Sequence, residues 1–253
     1  MTIKNIFKII YINPFFYLFG VISIITGLFK SFLTMYLIVF IHELGHIIMA
    51  LIFNYKIKKI NIYPFGGYTI FENNISNTFI KEFMVFLGGI LFQMIFFIII
   101  SIFIDKNTYF YNIFNNYNTS ILLFNLLPII PLDGGKLLNI LLNKLFPFKL
   151  SNKISIYFSY VCSLIMIIIF YNNINMILMS ILLITLIINE NKNIKFLFNA
   201  FLLERYIKDI KFKNNNFINN NNIFKMKKYL NNIFIINNRY VSEKEVLSKY
   251  FNN

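Results

Sequence analysis

The chain has 253 residues, 58% of them hydrophobic and 19% aromatic, which excludes an ordinary water-soluble domain and points to a polytopic membrane protein. Its 24 Lys and Arg against 10 Asp and Glu give a formal charge of +14. In a membrane chain such an excess marks cytoplasmic loops, so no direct nucleic-acid partner is expected. One cysteine, Cys162, rules out an internal disulfide and lies in an apolar run as packing.

Lys4 and Lys8 precede the first apolar stretch in the manner of a signal peptide. No small-residue cleavage site follows, so a retained first span is expected. A spanning helix needs about 17–25 apolar residues, fewer where protein shelters it from lipid. Six segments are predicted to span, at 15–29, 32–53, 79–104, 119–142, 154–170 and 176–188.

The second segment carries HELGH at 42–46. An ionisable side chain at the centre of such a helix costs about 2.5–3.5 kcal/mol on insertion scales, so its presence calls for a function. In a helix, His42 and His46 project from one face, where two imidazole nitrogens can reach one Zn²⁺. Glu43, beside the first ligand, is placed to act on water rather than on the metal. Gly45 weakens the helix and suits close approach of a neighbouring helix or of substrate.

Between the second and third segments, KIKKINIYPFGGYTIFENN has apolar residues alternating around Pro64, Gly66 and Gly67, the pattern of a β-hairpin. Beside a membrane its backbone must be hidden in protein or in a wet cavity, which allows an edge facing an active site. A surface loop is the plain alternative.

The fourth segment contains LLFNLLPIIPLDGGKLLNILL. Pro128 and Pro131 remove backbone donors and break the helix, and Gly134 and Gly135 loosen it again. A broken helix at membrane depth is tolerated where it lines a cavity. Zinc needs a third protein ligand. Of Glu72, Glu82, Asp105, Asp133 and Glu190, Asp133 alone lies within an otherwise apolar span, and a simple Pro-Asp-Gly turn is the alternative.

The loop charges orient the spans: Lys4, Lys8, Lys56, Lys58, Lys59, Lys81, Lys144, Lys149 and Lys153 fall on one side and Lys30 and Lys106 on the other. Both termini and the hairpin are therefore expected on the cytoplasmic face. After 188 the chain turns polar, basic and Asn-rich. Residues 194–212 read as an amphipathic helix on the membrane surface or against a partner, and KNNNFINNNN reads as a low-complexity linker. The end is predicted as a β-like stretch followed by a short helix, opened by Ser242 and Glu245 at capping-box spacing. The expected fold is an all-α polytopic membrane protein: six transmembrane helices with a small membrane-associated β-hairpin over 1–190, and a short α/β cytoplasmic tail over 191–253.

HELGH together with NLLPIIPLDGG at 125–135 resembles the site-2 protease family of intramembrane zinc metalloproteases. That family's second motif, Asn-x-x-Pro-x-x-x-x-Asp-Gly, is filled by Asn125, Pro128, Asp133 and Gly134. The resemblance implies one Zn²⁺ per chain held by His42, His46 and Asp133, with Glu43 as acid and base. Asn125 then donates to the oxyanion or, alternatively, braces the broken helix. Substrate is expected along Gly66 and Gly67 and beside Pro131.

The compact plan without a PDZ insertion is most similar to the family's sporulation branch, whose members remove the pro-sequence of a sigma factor, sigma-K. This implies a membrane-associated precursor as substrate, inhibitory membrane proteins and a homo-oligomer as further partners, and a membrane around the forespore of an endospore-forming bacterium. The branch would carry a CBS domain in its tail, and the roughly sixty residues here leave that domain incomplete or absent. Cleavage of an anti-sigma factor or a signal-peptide remnant is the alternative within the family. A transporter, in which helices are also broken, is the alternative outside it.

Overall fold

The computed structural model describes residues 10–55, 57–63, 66–71, 77–208, 210 and 212–252. The chain divides into two compact units, one of Met1–Asn73 and Phe83–Leu126, the other of Asn74–Glu82 and Leu127–Asn253.

In the first unit, strand β1 (Ile10–Ile12) leads into helix α1 (Pro14–Ile25). Asn13 caps that helix by accepting from Phe15 N–H at 2.9 Å, and Pro14, with no N–H to satisfy, occupies its first turn. Gly27, at φ 73°, turns the chain into α2 (Phe29–Ile52). Strands β2 (Ile57–Tyr63) and β3 (Gly66–Phe71) pair antiparallel, and β1 adds to β2 in parallel, giving the order β1-β2-β3. The hairpin is thus present with a third strand that alternation did not reveal. Its turn, Pro64 and Phe65, lies outside the described residues, as do Lys4, Lys8, Lys56 and Glu72.

Helix α3 (Phe79–Phe103) begins in the second unit and continues in the first, followed by α4 (Tyr109–Leu126). Ile47, Ala50, Tyr55, Ile57 and Val85 form the core between α2, β2 and α3. The α2–α3 crossing is set by glycines: a Cβ on Gly45 would lie 2.4 Å from the Gly88 carbonyl oxygen, and one on Gly88 would lie 2.7 Å from that of Gly45. Gly45 thus admits a neighbouring helix.

The second unit contains α5 (Asp133–Leu145), α6 (Phe148–Ile169) and α7 (Ile174–Ile207), with α6 packed on α7. Strands β4 (Asn215–Asn219), β5 (Asn231–Ile236) and β6 (Arg239–Ser242) then form a sheet in that order, parallel and then antiparallel, before α8 (Glu243–Asn252). Ser242 Oγ accepts from Glu245 N–H at 3.3 Å, which caps α8 as its spacing predicts.

Three expectations change. The predicted fourth span is two helices, α4 and α5, separated at 127–132, because Pro128 and Pro131 interrupt the hydrogen-bond ladder. Among the described residues four helices are long and apolar enough to cross a membrane, namely α2, α3, α6 and α7, while α1 is a shorter apolar helix. The Asn run is strand β4 rather than a linker, because Ile218 is buried and the backbone pairs with β5. The helix expected after 194 is continuous with the last span: α7 runs through residue 190 without a break, and Phe198, Phe201 and Leu202 bury against Ile218, Met226, Phe234 and Leu247.

Candidate metal centre

His42 and His46 sit one turn apart on α2, both buried. Each ring is oriented through Nδ1. That of His46 lies 2.9 Å from the Val85 carbonyl oxygen, an acceptor only, so Nδ1 carries the proton and donates. That of His42 lies 3.0 Å from Gln93 Oε1. The Gln93 amide nitrogen donates to the Asn118 carbonyl oxygen at 3.0 Å and to its Oδ1 at 3.2 Å, which turns Oε1 toward the histidine. Gln93 has 0% exposure and Asn118 2%, so no water competes for these bonds.

With Nδ1 of each ring engaged elsewhere, the two Nε2 atoms come together on one side of α2, 3.2 Å apart. Two imidazole nitrogens this close on one helix face can reach a single cation. Neutral imidazoles fixed through the second nitrogen are the state in which histidine binds zinc. The donor set therefore fits the metal. Gly89 of α3 borders the same space, since a Cβ there would lie 2.4 Å from His46 Nε2 and 2.7 Å from His42 Nε2.

Glu43 points to β3 instead. Thr69 Oγ donates to its Oε2 at 2.6 Å, and a Cβ on Gly67 would lie 2.5 Å from its Cγ. Gly67 and Thr69 alternate onto one face of the strand, the glycine giving the carboxylate room and the threonine fixing it. The backbone of Gly66 pairs with Tyr63.

The unit that holds His42, Glu43 and His46 also holds Gly66, Gly67 and Asn125, the last partly buried in the final turn of α4. Pro131 and Asp133 belong to the second unit. Asp133 is buried at the first position of α5, where the helix dipole favours a carboxylate, and its Oδ1 lies 3.3 Å from Lys136 Nζ. Sequence reading passed over Gln93, Asn118, Thr69 and Gly89. Gln93 alone left a trace, as an isolated amide in an apolar span.

The model of Peptidase family M50 matches residues 30–108 and 105–169, which include both motifs. Stage IV sporulation protein FB of Bacillus subtilis is 37% identical over 152 residues, 58% of this chain and 52% of that protein. A zinc metalloprotease of Methanocaldococcus jannaschii is 31% identical over 130 residues, 49% of this chain and 38% of that protein. The chain thus spans about half or less of the length of these curated relatives. The solved site-2 protease of Methanocaldococcus jannaschii superposes with a TM-score of 0.55 at 29% identity, covering 72% of this chain and 89% of that one. The fold is that of a site-2 protease, and the chain belongs to Peptidase family M50.

Proposed function

We propose that this chain is an intramembrane zinc endopeptidase, and that its substrate is a membrane-associated precursor of a sporulation sigma factor, pro-sigma-K, from which it removes the pro-sequence. The observation that carries the reading is the pair of histidine Nε2 atoms brought to 3.2 Å on α2 while each Nδ1 is engaged elsewhere, with Glu43 beside His42. The 37% identity with a sporulation protein supports the substrate class.

Asp133 is the third ligand in this reading, supported by its burial as an acid and by the filled second motif. When bound, zinc supplies Lewis acidity toward the scissile carbonyl and toward water. Glu43 takes a proton from the attacking water and returns it to the leaving amine, its carboxylate held by Thr69 for the exchange. Asn125 donates its amide to the substrate carbonyl oxygen as charge develops there.

A peptide bond within a helix is shielded, so the substrate must become extended. Strand β3 ends its sheet, and among the described residues no strand pairs with its outer edge. A substrate strand adds there along Gly66 and Gly67 in this reading, and Pro131 is assigned as a further substrate contact. Six crossings, with α1 and the α4/α5 pair completing the set, place both termini and the site's open side toward the cytoplasm. Residues 191–253 serve as a cytoplasmic control segment, and inhibitory membrane proteins and a second copy of the chain are the expected partners.

The test is co-expression with a membrane-tethered sigma-factor precursor. Wild type should yield a shortened product, and Glu43→Gln should yield none while keeping its zinc. A product from the Glu43→Gln protein would end this reading.

A further inference from the structure

Breaking a helix inside an apolar protein frees N–H groups that no carbonyl one turn back can take. In the segment between α4 and α5, Pro128 and Pro131 have none to place. Ile129 donates to the Leu127 carbonyl at 2.7 Å and Leu132 to that of Ile129 at 2.8 Å. The N–H of Ile130 leaves the segment and donates to Ser159 Oγ on α6 at 2.9 Å. The same peptide is gripped a second time, since a Cβ on Gly135 would lie 2.4 Å from the Ile129 carbonyl carbon and 2.5 Å from Ile130 N.

Ser159 is one of four serines, with Ser151, Ser155 and Ser163, that recur every fourth residue of α6 at no more than 1% exposure. Each donates to the carbonyl four residues back, at 2.8–2.9 Å. That bond only shares an oxygen the helix already uses, so it makes a hydroxyl tolerable in an apolar helix without giving it a task. Among the described residues Ser159 alone of the four also accepts an N–H from outside its helix, in a segment that reaches Asp133 three residues later.

We propose that Ser159 is a positioning residue for the reaction: its hydroxyl pins the Ile129–Ile130 peptide, sets where α5 begins, and so aims the Asp133 carboxylate at the metal. The inference rests on the ligand role proposed for Asp133. Without the hydroxyl, the Ile130 N–H loses this acceptor, and the segment shifts to find another.

Zinc affinity of the full-length detergent-solubilised protein, measured by competition with a chelator, tests this. Ser159→Ala should still take one zinc at saturating metal but bind it about 10–100-fold more weakly, the loss typical of outer-shell partners. Turnover should fall with little change in KM. Ser159→Thr keeps the hydroxyl and should recover most of the affinity. Ser155→Ala, one turn away and equally buried, should stay within about twofold of wild type because it loses only the shared bond.

Wild-type affinity in Ser159→Ala, or an equal loss in Ser155→Ala, overturns the proposal. Asp133→Ala separates the two readings. If it binds zinc as wild type does, the ligand assignment is wrong; if it loses tight binding while Ser159→Ala does not, only the bracing role fails.

Discussion

A methyl group on Gly89 would fall among the imidazole nitrogens, so Gly89→Ala must displace a ring or the helix that carries it. The purified variant should contain well under one zinc per chain by elemental analysis, with helical content unchanged. Thr69→Val removes the hydroxyl that donates to Glu43 while keeping a β-branched strand residue. Zinc content should hold and turnover should fall about 10–100-fold, a part of the roughly 10²–10⁴-fold that acid–base catalysis contributes, because Glu43 stays but is no longer fixed. The histidine pair on one helix face was legible in the amino-acid sequence, because a four-residue spacing puts two side chains on the same side of a helix. Gln93, Asn118, Thr69 and Ser159 were not. Each is a common polar residue whose partner lies on another element, 51 positions away for Gln93 and 29 for Ser159.

Among the elements, the first turn of α3 is held by the loop before β5. Lys228 Nζ lies 2.6 Å from one oxygen of the buried Glu82 carboxylate, and Tyr229 OH donates to the other at 2.6 Å. Lys228→Met strands that carboxylate, a change that costs about 3–5 kcal/mol for a buried pair, whereas removing both partners as Glu82→Leu with Lys228→Met should recover most of it. Thermal unfolding of the two variants measures the difference. Arg205 makes a second buried pair with Glu243 at 2.8 Å. Burial pushes the Glu243 carboxyl up from its ordinary range, against the opposing pull of Arg205 and of hydrogen bonds from Asn232. A folded state that holds this proton more tightly than the unfolded chain is stabilised fully below the ordinary carboxylate range and loses that contribution as pH rises through the raised value. Protease cleavage of the tail should therefore rise over that interval in wild type and less steeply in Glu243→Gln. Long apolar helices were readable from composition, as was the break at the two prolines. Strands β1 and β4 were not, because pairing to distant partners, rather than local preference, makes an Asn-rich or very short segment extended.

For the whole molecule, the charge asymmetry of the loops predicts a cytoplasmic tail. A cysteine introduced at the exposed Asn237, in a Cys162→Ser background, should react with an impermeant maleimide only once the cytoplasmic side is opened. Labelling in intact cells would reverse the orientation. Family and architecture could be read from two short motifs and the hydropathy pattern, while the number of crossings and the extent of the tail depended on where helices stop. Helix α7 does not stop where its apolar run does. Its 34 residues, at about 1.5 Å each, reach about 51 Å, against a hydrocarbon layer of about 30 Å. The C-terminal sheet therefore packs on a rigid continuation of a membrane-length helix rather than hanging from a tether.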